Sequence, residues 1–81
     1  MYYTYVLYSP HYDRIYIGQT DNIEMRLKRH NIGLVKSTKA YRPWILIHTE
    51  EFETRSEALR RERQLKSYRG RQFIRNLLAQ Q

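Results

Sequence analysis

The sequence predicts an α+β domain in which a small three-stranded antiparallel sheet is flanked by helices, in the order ββαβαα. Three short segments are rich in aromatic and β-branched residues, which favour strands. Helix-start signals stand before two of the intervening segments. A chain of 81 residues has room for one domain, which we expect to span residues 1–81 around a small core.

The predicted strands follow from runs of strand-forming residues bounded by turn chemistry. Residues 2–8 form the first strand, and the turn-forming segment 9–14 separates it from a second strand over 15–17. These two strands make a hairpin. A basic loop over residues 36–43 precedes the third strand, which covers residues 44–49.

The first helix is predicted over residues 22–30, with Ile23 and Leu27 on its inward face. Its start is indicated by Thr20 and Asp21, the latter paired with Glu24 three residues later.

Two further helices are predicted in the C-terminal third of the chain. Thr54 and Glu57 match a capping box, which opens a helix from about residue 55 to 68. We expect Gly70 to break it, so that a third helix covers residues 71–78.

The charge balance points to a polyanionic partner. Fifteen Lys and Arg residues against eight Asp and Glu give a net charge of +7 and an isoelectric point near 10.0. On a domain of this size such a charge favours nucleic acid as the partner. Most of the cations are Arg, whose planar fork makes bidentate phosphate contacts. A basic surface that serves only solubility stays open from charge alone.

Several classes of protein are excluded or disfavoured by composition. Without cysteine there is no disulfide framework, thiol nucleophile or cysteine zinc site. No apolar run approaches the ~18 residues of a membrane span. The first residues, Met1 to Thr4, lack the regions of a signal peptide, so we expect a cytoplasmic protein.

Glu62 is the most informative anomaly in the second predicted helix. It lies in the middle of an apolar stripe formed by Ala58, Leu59 and Leu65. A carboxylate on a core-facing stripe costs free energy unless it is paired or binds a metal. Two interpretations stay open: a salt bridge to Lys66 or to an Arg, and a metal ligand at the bottom of a cleft.

Arg26 and His30 share one face of the first helix because they are four residues apart. That face is either a solvated basic surface, with Lys28 and Arg29 nearby, or part of a site. The chain also holds eight tyrosines, which either pack with their hydroxyls at the rim or serve proton transfer.

Taken in order, the motifs of this chain resemble those of GIY-YIG endonuclease domains. The matching segments are Thr4-Tyr5-Val6, Tyr16-Ile17-Gly18, Arg26 to Asn31, and Ser56 to Glu62. The resemblance covers residues 2–68 and is closest to small stand-alone GIY-YIG proteins, which are similar to the GIY-YIG nuclease domain of the ABC excinuclease. Tyr3 and Thr4 replace the glycine and isoleucine that name the first motif.

The resemblance implies a metal-dependent endonuclease and assigns five catalytic residues. Glu62 would hold one divalent cation, Mg²⁺ or Mn²⁺, and Arg26 would clamp the scissile phosphate. Tyr5 would orient or deprotonate the attacking water, with Tyr16 contacting water or phosphate beside it. His30 would contact phosphate or shuttle a proton. Because an ordinary tyrosine pKa of ~10 is too high for a base, we expect Arg26 and the metal to lower that of Tyr5.

The resemblance implies that the substrate is nucleic acid, and we expect DNA. We expect the protein to select DNA by its structure, and to act in DNA repair. The remaining cations predicted to contact phosphates are Lys28, Arg29, Lys36, Lys39, Arg42, Arg60, Arg61 and Arg63. Trp44 is expected in the core, although it and Tyr41 are the aromatic residues suited to base stacking. A non-catalytic nucleic-acid-binding module, or an interaction domain with a protein partner, are alternatives on the same fold.

Overall fold

The sheet of the protein is antiparallel and has the strand order β2-β1-β3. It is seen in a computed structural model, which describes residues 1–80. The strands are β1 (Tyr2–Ser9), β2 (Arg14–Thr20) and β3 (Ile45–Phe52). In the central strand, Tyr5 lies opposite Gly18 of β2 and Thr49 of β3.

Three α-helices complete the predicted ββαβαα order, which is confirmed. They are α1 (Ile23–Asn31), α2 (Arg55–Lys66) and α3 (Tyr68–Ala79). The predicted basic loop also contains a single 3₁₀ turn over Lys39–Tyr41. Within residues 1–80, no helix has the length and apolar character needed to cross a membrane.

Helices cover both faces of the sheet, and each face has its own core. One core, here called the aliphatic cluster, joins Val6, Ile17, Leu65 and Ile74 beneath α2 and α3. The other, the aromatic cluster, joins Tyr5, Leu7 and Trp44 beneath α1 and the loop that follows it. Alternation along β1 sends neighbouring residues to opposite cores.

The start of α1 differs from the prediction. Asn22 is the N-cap, and its side chain accepts a hydrogen bond from the backbone N–H of Met25 at 3.1 Å. Thr20 belongs to β2 instead, and its hydroxyl oxygen accepts from the Asn22 N–H at 3.1 Å. The predicted Asp21 cap was wrong because this hydrogen bond shifts the capping position by one residue.

The break between α2 and α3 also differs from the prediction. The expected break at Gly70 was wrong: the helices meet at Ser67, whose hydroxyl accepts from the Gly70 N–H at 3.2 Å. Gly70 lies inside α3. It is a glycine because α2 passes so close that a Cβ would overlap the backbone of Gln64 and Leu65. This glycine permits helix packing and does not end a helix. The capping box at Thr54, in contrast, is confirmed.

Candidate active site

Helix α1 positions two polar side chains above the central strand. Ile23 and Leu27 pack against the aromatic cluster, which fixes the rotation of the helix. Arg26 and His30 then reach the hydroxyl of Tyr5 on β1. The Arg26 Nε–H donates to Tyr5 Oη at 3.3 Å, and His30 Nε2 lies 2.9 Å from the same oxygen.

Gly18 makes room for this arrangement. A Cβ at Gly18 would lie 2.7 Å from Tyr5 Oη and 3.1 Å from the Tyr16 ring. Real Cβ atoms do not approach other atoms so closely, so any larger residue would displace the Tyr5 ring. The glycine of the Tyr-Ile-Gly motif is therefore a geometric requirement for the position of the catalytic candidate Tyr5.

Tyr16 completes a cluster of four predicted site residues. Its ring centroid lies 4.8 Å from that of His30 and 6.2 Å from that of Tyr5. The side chain is half-buried, so that part of it faces solvent. The structure therefore brings together Tyr5, Tyr16, Arg26 and His30.

Glu62 comes from α2, which packs on the other face of the sheet, but its carboxylate is near enough to Tyr5 for its charge to raise the pKa of that hydroxyl. Thr4 anchors this helix, because its buried hydroxyl donates to the backbone carbonyl of Ala58 at 2.7 Å, one turn before Glu62. Thr4 occupies the position of the first motif's isoleucine, so this departure from the family pattern has a structural role. Among the described residues, Glu62 makes no hydrogen bond to the other four candidates.

The carboxylate of Glu62 pairs with Lys66, as one of the two interpretations predicted. Lys66 Nζ lies 2.7 Å from Glu62 Oε2. The Glu62 side chain is only 17% exposed, whereas that of Lys66 is 49% exposed and can turn away into solvent. Glu62 is therefore a nearly buried carboxylate whose ion-pair partner is exposed to solvent.

Burial dominates the acidity of Tyr5. It raises the pKa of Tyr5 to about 12, against the opposing hydrogen bond from Arg26, and the negative charge of Glu62 adds a smaller rise. Arg26 thus lowers the pKa of Tyr5, as expected, but burial outweighs this effect and the net pKa lies above its ordinary value. Tyr5 is a neutral phenol at neutral pH.

His30 is neutral as well. Burial lowers the pKa of His30 to about 4, and the nearby positive charge of Arg26 contributes to the decrease. The hydrogen bond to Tyr5 instead raises the pKa of Arg26, which stays charged. The site therefore combines one permanent cation with two neutral groups that share a hydrogen bond.

The donor set around Glu62 fits a hard, hydrated cation. Within residues 1–80 there is no group of three or more His, Cys, Asp or Glu side chains that would form an all-protein metal site. Mg²⁺ commonly binds through one or two carboxylates and keeps several waters. A single carboxylate with low exposure matches that pattern.

Most of the cations predicted to contact phosphates are at the surface. Those exposed are Lys28, Arg29, Lys36, Lys39, Arg42, Arg60 and Arg63. Arg61 is half-buried and pairs with Glu50, its Nε lying 2.9 Å from a carboxylate oxygen. Trp44 is 4% exposed and belongs to the core, as expected, so its ring is not accessible to a base.

Two side chains that sequence patterns did not assign to the site support His30. Thr38 Oγ1 lies 2.8 Å from His30 Nδ1, on the side of the ring away from Tyr5. Asn31, which the resemblance includes only as the last residue of the Arg26 to Asn31 segment, bonds both the N–H and the C=O of Trp44, at 2.7 and 3.0 Å. No spacing rule connects Thr38 with His30, because an irregular loop brings them together.

Comparison with known proteins shows the family to which this fold belongs. The family model of the GIY-YIG catalytic domain matches residues 1–75, which is nearly the whole chain. The chain therefore belongs to the GIY-YIG catalytic domain family, a family of nucleases.

The individual relatives are small proteins named UPF0213. One from Staphylococcus haemolyticus is 41% identical over 61 residues, which cover 74% of each chain. Another from Staphylococcus aureus is 39% identical over 62 residues, or 75% of this chain and 76% of that protein. The solution NMR structure of a UPF0213 protein from Bacillus halodurans has a TM-score of 0.55 and 31% identity, covering 95% of this chain and 85% of that one.

Proposed function

We propose that this protein is a metal-dependent endonuclease that hydrolyses phosphodiester bonds in DNA and selects its substrate by structure. The observation that carries the proposal is the hydrogen-bonded chain Arg26–Tyr5–His30. These hydrogen bonds connect a permanent cation, Arg26, to two groups that can pass on a proton. The protein also belongs to the GIY-YIG family. Phosphodiester hydrolysis needs both functions.

Arg26 is suited to hold the scissile phosphate. Its Nε–H is used by Tyr5, which fixes the guanidinium plane and leaves the terminal nitrogens for a ligand. The side chain is half-buried, so its charge is less screened than that of a surface arginine. In this position it can stabilise the charge that develops on the phosphate oxygens in the transition state.

Tyr5 and His30 provide a proton route that needs no tyrosinate. As the water oxygen bonds to phosphorus, the P–O3′ bond breaks and O3′ leaves with the electron pair, to be protonated from solvent. The water proton passes to Tyr5 Oη. The phenolic proton of Tyr5 passes at the same time to His30 Nε2, which lies 2.9 Å away. A bound phosphate offsets the charge of Arg26, which removes one of the two causes that lower the pKa of His30.

The proposed metal site is Glu62. Glu62 would hold Mg²⁺ or Mn²⁺, which would supply Lewis-acid stabilisation of the negative charge that develops in the reaction. The role of this chain is to present one nearly buried carboxylate and to balance it with Lys66 when no cation is bound.

The surface cations serve binding and not sequence recognition. The exposed lysines and arginines of α1, the loop after it and α2 are expected to contact phosphates independently of base identity. Affinity is expected to fall steeply with salt, as for any interface built on counterion release. Selection by shape, for example of branches or flaps, follows from such contacts better than recognition of a base sequence.

The test is cleavage of duplex, flap, branched and single-stranded DNA with Mg²⁺ or Mn²⁺. Glu62→Gln and Arg26→Ala are expected to lower kcat by about 10²-fold or more while the circular dichroism spectrum stays the same. The matched controls are Glu53→Gln and Arg75→Ala, which change exposed side chains outside the proposed site.

Full activity in Glu62→Gln or Arg26→Ala contradicts the proposal. If the wild-type protein binds DNA in a salt-dependent manner but cuts none of the substrates with either cation, the chain is a non-catalytic binding module. RNA versions of the same substrates decide which nucleic acid is preferred.

A further inference from the structure

Thr38 holds the buried side of the His30 ring. It lies in the loop after α1, is 1% exposed, and its hydroxyl oxygen is 2.8 Å from His30 Nδ1. His30 thus has a side-chain partner at each ring nitrogen: Tyr5 at Nε2 and Thr38 at Nδ1. The proton at one nitrogen determines what the other nitrogen can do.

The loop around Thr38 is fixed by hydrogen bonds and not left to move. The indole Nε1–H of Trp44 donates to the Thr38 carbonyl at 2.9 Å. Asn31 in turn holds both backbone groups of Trp44. Because Asn31 follows His30 directly in α1, this set of contacts ties Thr38 to the helix that carries its partner.

The placement of hydrogens in this network favours one tautomer of His30. The hydroxyl of Thr38 has a single hydrogen, and the Val35 carbonyl, 3.3 Å away, can accept it. Thr38 Oγ1 then accepts from His30 Nδ1–H, so that Nε2 carries a lone pair and accepts from Tyr5. In this pattern every hydrogen in the network has an acceptor.

The opposite tautomer leaves a hydrogen without a partner. If Thr38 donated to Nδ1, His30 Nε2–H would donate to Tyr5 Oη, which already accepts from Arg26. In the free protein the Tyr5 residue is 2% exposed, and among residues 1–80 its hydroxyl has no other acceptor within hydrogen-bond distance. A buried hydroxyl without an acceptor costs free energy of about 1–3 kcal/mol.

We infer that Thr38 is a positioning residue that holds His30 as the Nδ1–H tautomer, so that Nε2 is ready to accept the proton of Tyr5. Its catalytic consequence rests on the proposed nuclease function, whereas the tautomer itself does not. Thr38→Val keeps the shape of the side chain but removes the acceptor for Nδ1–H. Each tautomer then leaves one hydrogen without an acceptor, so the preference for Nδ1–H is lost. Part of the population is expected to carry the proton at Nε2, where His30 cannot accept from Tyr5.

The experiment that decides the tautomer is long-range ¹H–¹⁵N NMR of the His30 ring in the intact, labelled protein at neutral pH. Wild type and Thr38→Ser are expected to show Nδ1 protonated, and Thr38→Val to show a shift toward the Nε2–H form. Ser37→Ala, an exposed neighbour, is the matched control. A protonated Nε2 in the wild type, or identical spectra in wild type and Thr38→Val, overturns the inference.

Kinetics on the same variants separates this inference from the proposed function. Thr38→Val is expected to lower kcat several-fold with KM unchanged, because only molecules with the Nδ1–H tautomer can accept the proton of Tyr5, and Thr38→Ser is expected to restore kcat. Equal kcat in wild type and Thr38→Val contradicts the relay role. If the wild type cuts no substrate, the nuclease proposal fails, while the NMR result still decides the role of Thr38.

Discussion

The two faces of the sheet differ in what they bury. Beneath α2 and α3, the aliphatic cluster packs side chains without polar atoms. Beneath α1, the aromatic cluster adjoins the buried hydrogen-bonded chain that runs from Arg26 through Tyr5 and His30 to Thr38. Apolar burial stabilises the fold, whereas a buried polar network must satisfy every donor and acceptor. The first face therefore provides stability, and the second provides a rigid arrangement of chemical groups.

The largest expected contrast between the faces comes from two glycines. Gly70→Ala places a Cβ against the backbone of α2, which cannot yield without separating the helices. We expect it to lower the free energy of unfolding by about 3 kcal/mol or more. Gly18→Ala instead meets the outer end of the Tyr5 side chain, 2.7 Å from its hydroxyl. It is expected to cost about 1–2 kcal/mol but to break the Tyr5–His30 hydrogen bond.

Urea unfolding of Gly70→Ala and Gly18→Ala measures the change in the free energy of unfolding. The NMR signals of the His30 ring show whether the Tyr5–His30 hydrogen bond is broken. Gly33, which has a positive φ of 87°, is not a suitable control because any side chain there is strained. The contrast fails if Gly70→Ala is as stable as the wild type. It fails equally if Gly18→Ala leaves the His30 signals unchanged.

A second prediction concerns the pH dependence of stability on the polar face. The pKa of His30 is about 4 when folded and near 6.5 when unfolded, so the unfolded chain binds more protons between these values. Stability is therefore fully present above pH 6.5 and falls as the pH drops toward 4. The difference corresponds to about 3 kcal/mol.

Urea unfolding at several pH values between about 4 and 7 checks this prediction. The quantity compared is the free energy of unfolding of wild type and of His30→Gln at each pH. Asp13 and Glu50, whose pKa values are also lowered, contribute equally to both proteins and cancel in the comparison. His11→Gln, in the exposed turn between β1 and β2, is the matched control and should behave as wild type. Parallel pH profiles for wild type and His30→Gln would contradict the argument.

Sequence patterns predicted the site residues that follow the periodicity of a helix and missed those that do not. Arg26 and His30 share a face because they are four apart on a helix, and Glu62 stood out because it interrupts an apolar stripe. Thr38 could not be found in this way, since it depends on a loop closed by Trp44 and Asn31. The net rise in the pKa of Tyr5 was equally hidden, because burial is a property of the whole fold.

The fold itself was predictable in its order of elements and less so at their ends. The capping box at Thr54 located the start of α2 because it is a local hydrogen-bond pattern. The end of β3 at Phe52 lies beyond the predicted strand because it depends on pairing with Tyr2, far earlier in the chain. Gly70 was wrongly predicted to break a helix. A glycine is needed there because α2 passes close to α3, and this contact between two helices is not visible in the local sequence.

The smallest expected effect concerns Thr4, which connects the central strand to α2. Thr4 lies next to Tyr5 in β1, but its side chain points to the α2 face and donates to the Ala58 carbonyl. Thr4→Val keeps the shape and removes this hydrogen bond, which is expected to cost about 1 kcal/mol in urea unfolding with an unchanged m value.

The same substitution is expected to loosen α2 one turn before Glu62, and thus to weaken activation by Mg²⁺ more than binding of DNA. Thr49→Val, an exposed threonine opposite Tyr5 on β3, is the matched control. Equal stability of Thr4→Val and wild type would mean that apolar packing alone seats the helix. A loss of stability with the Mg²⁺ dependence unchanged would mean that Thr4 fastens the helix without setting the position of Glu62.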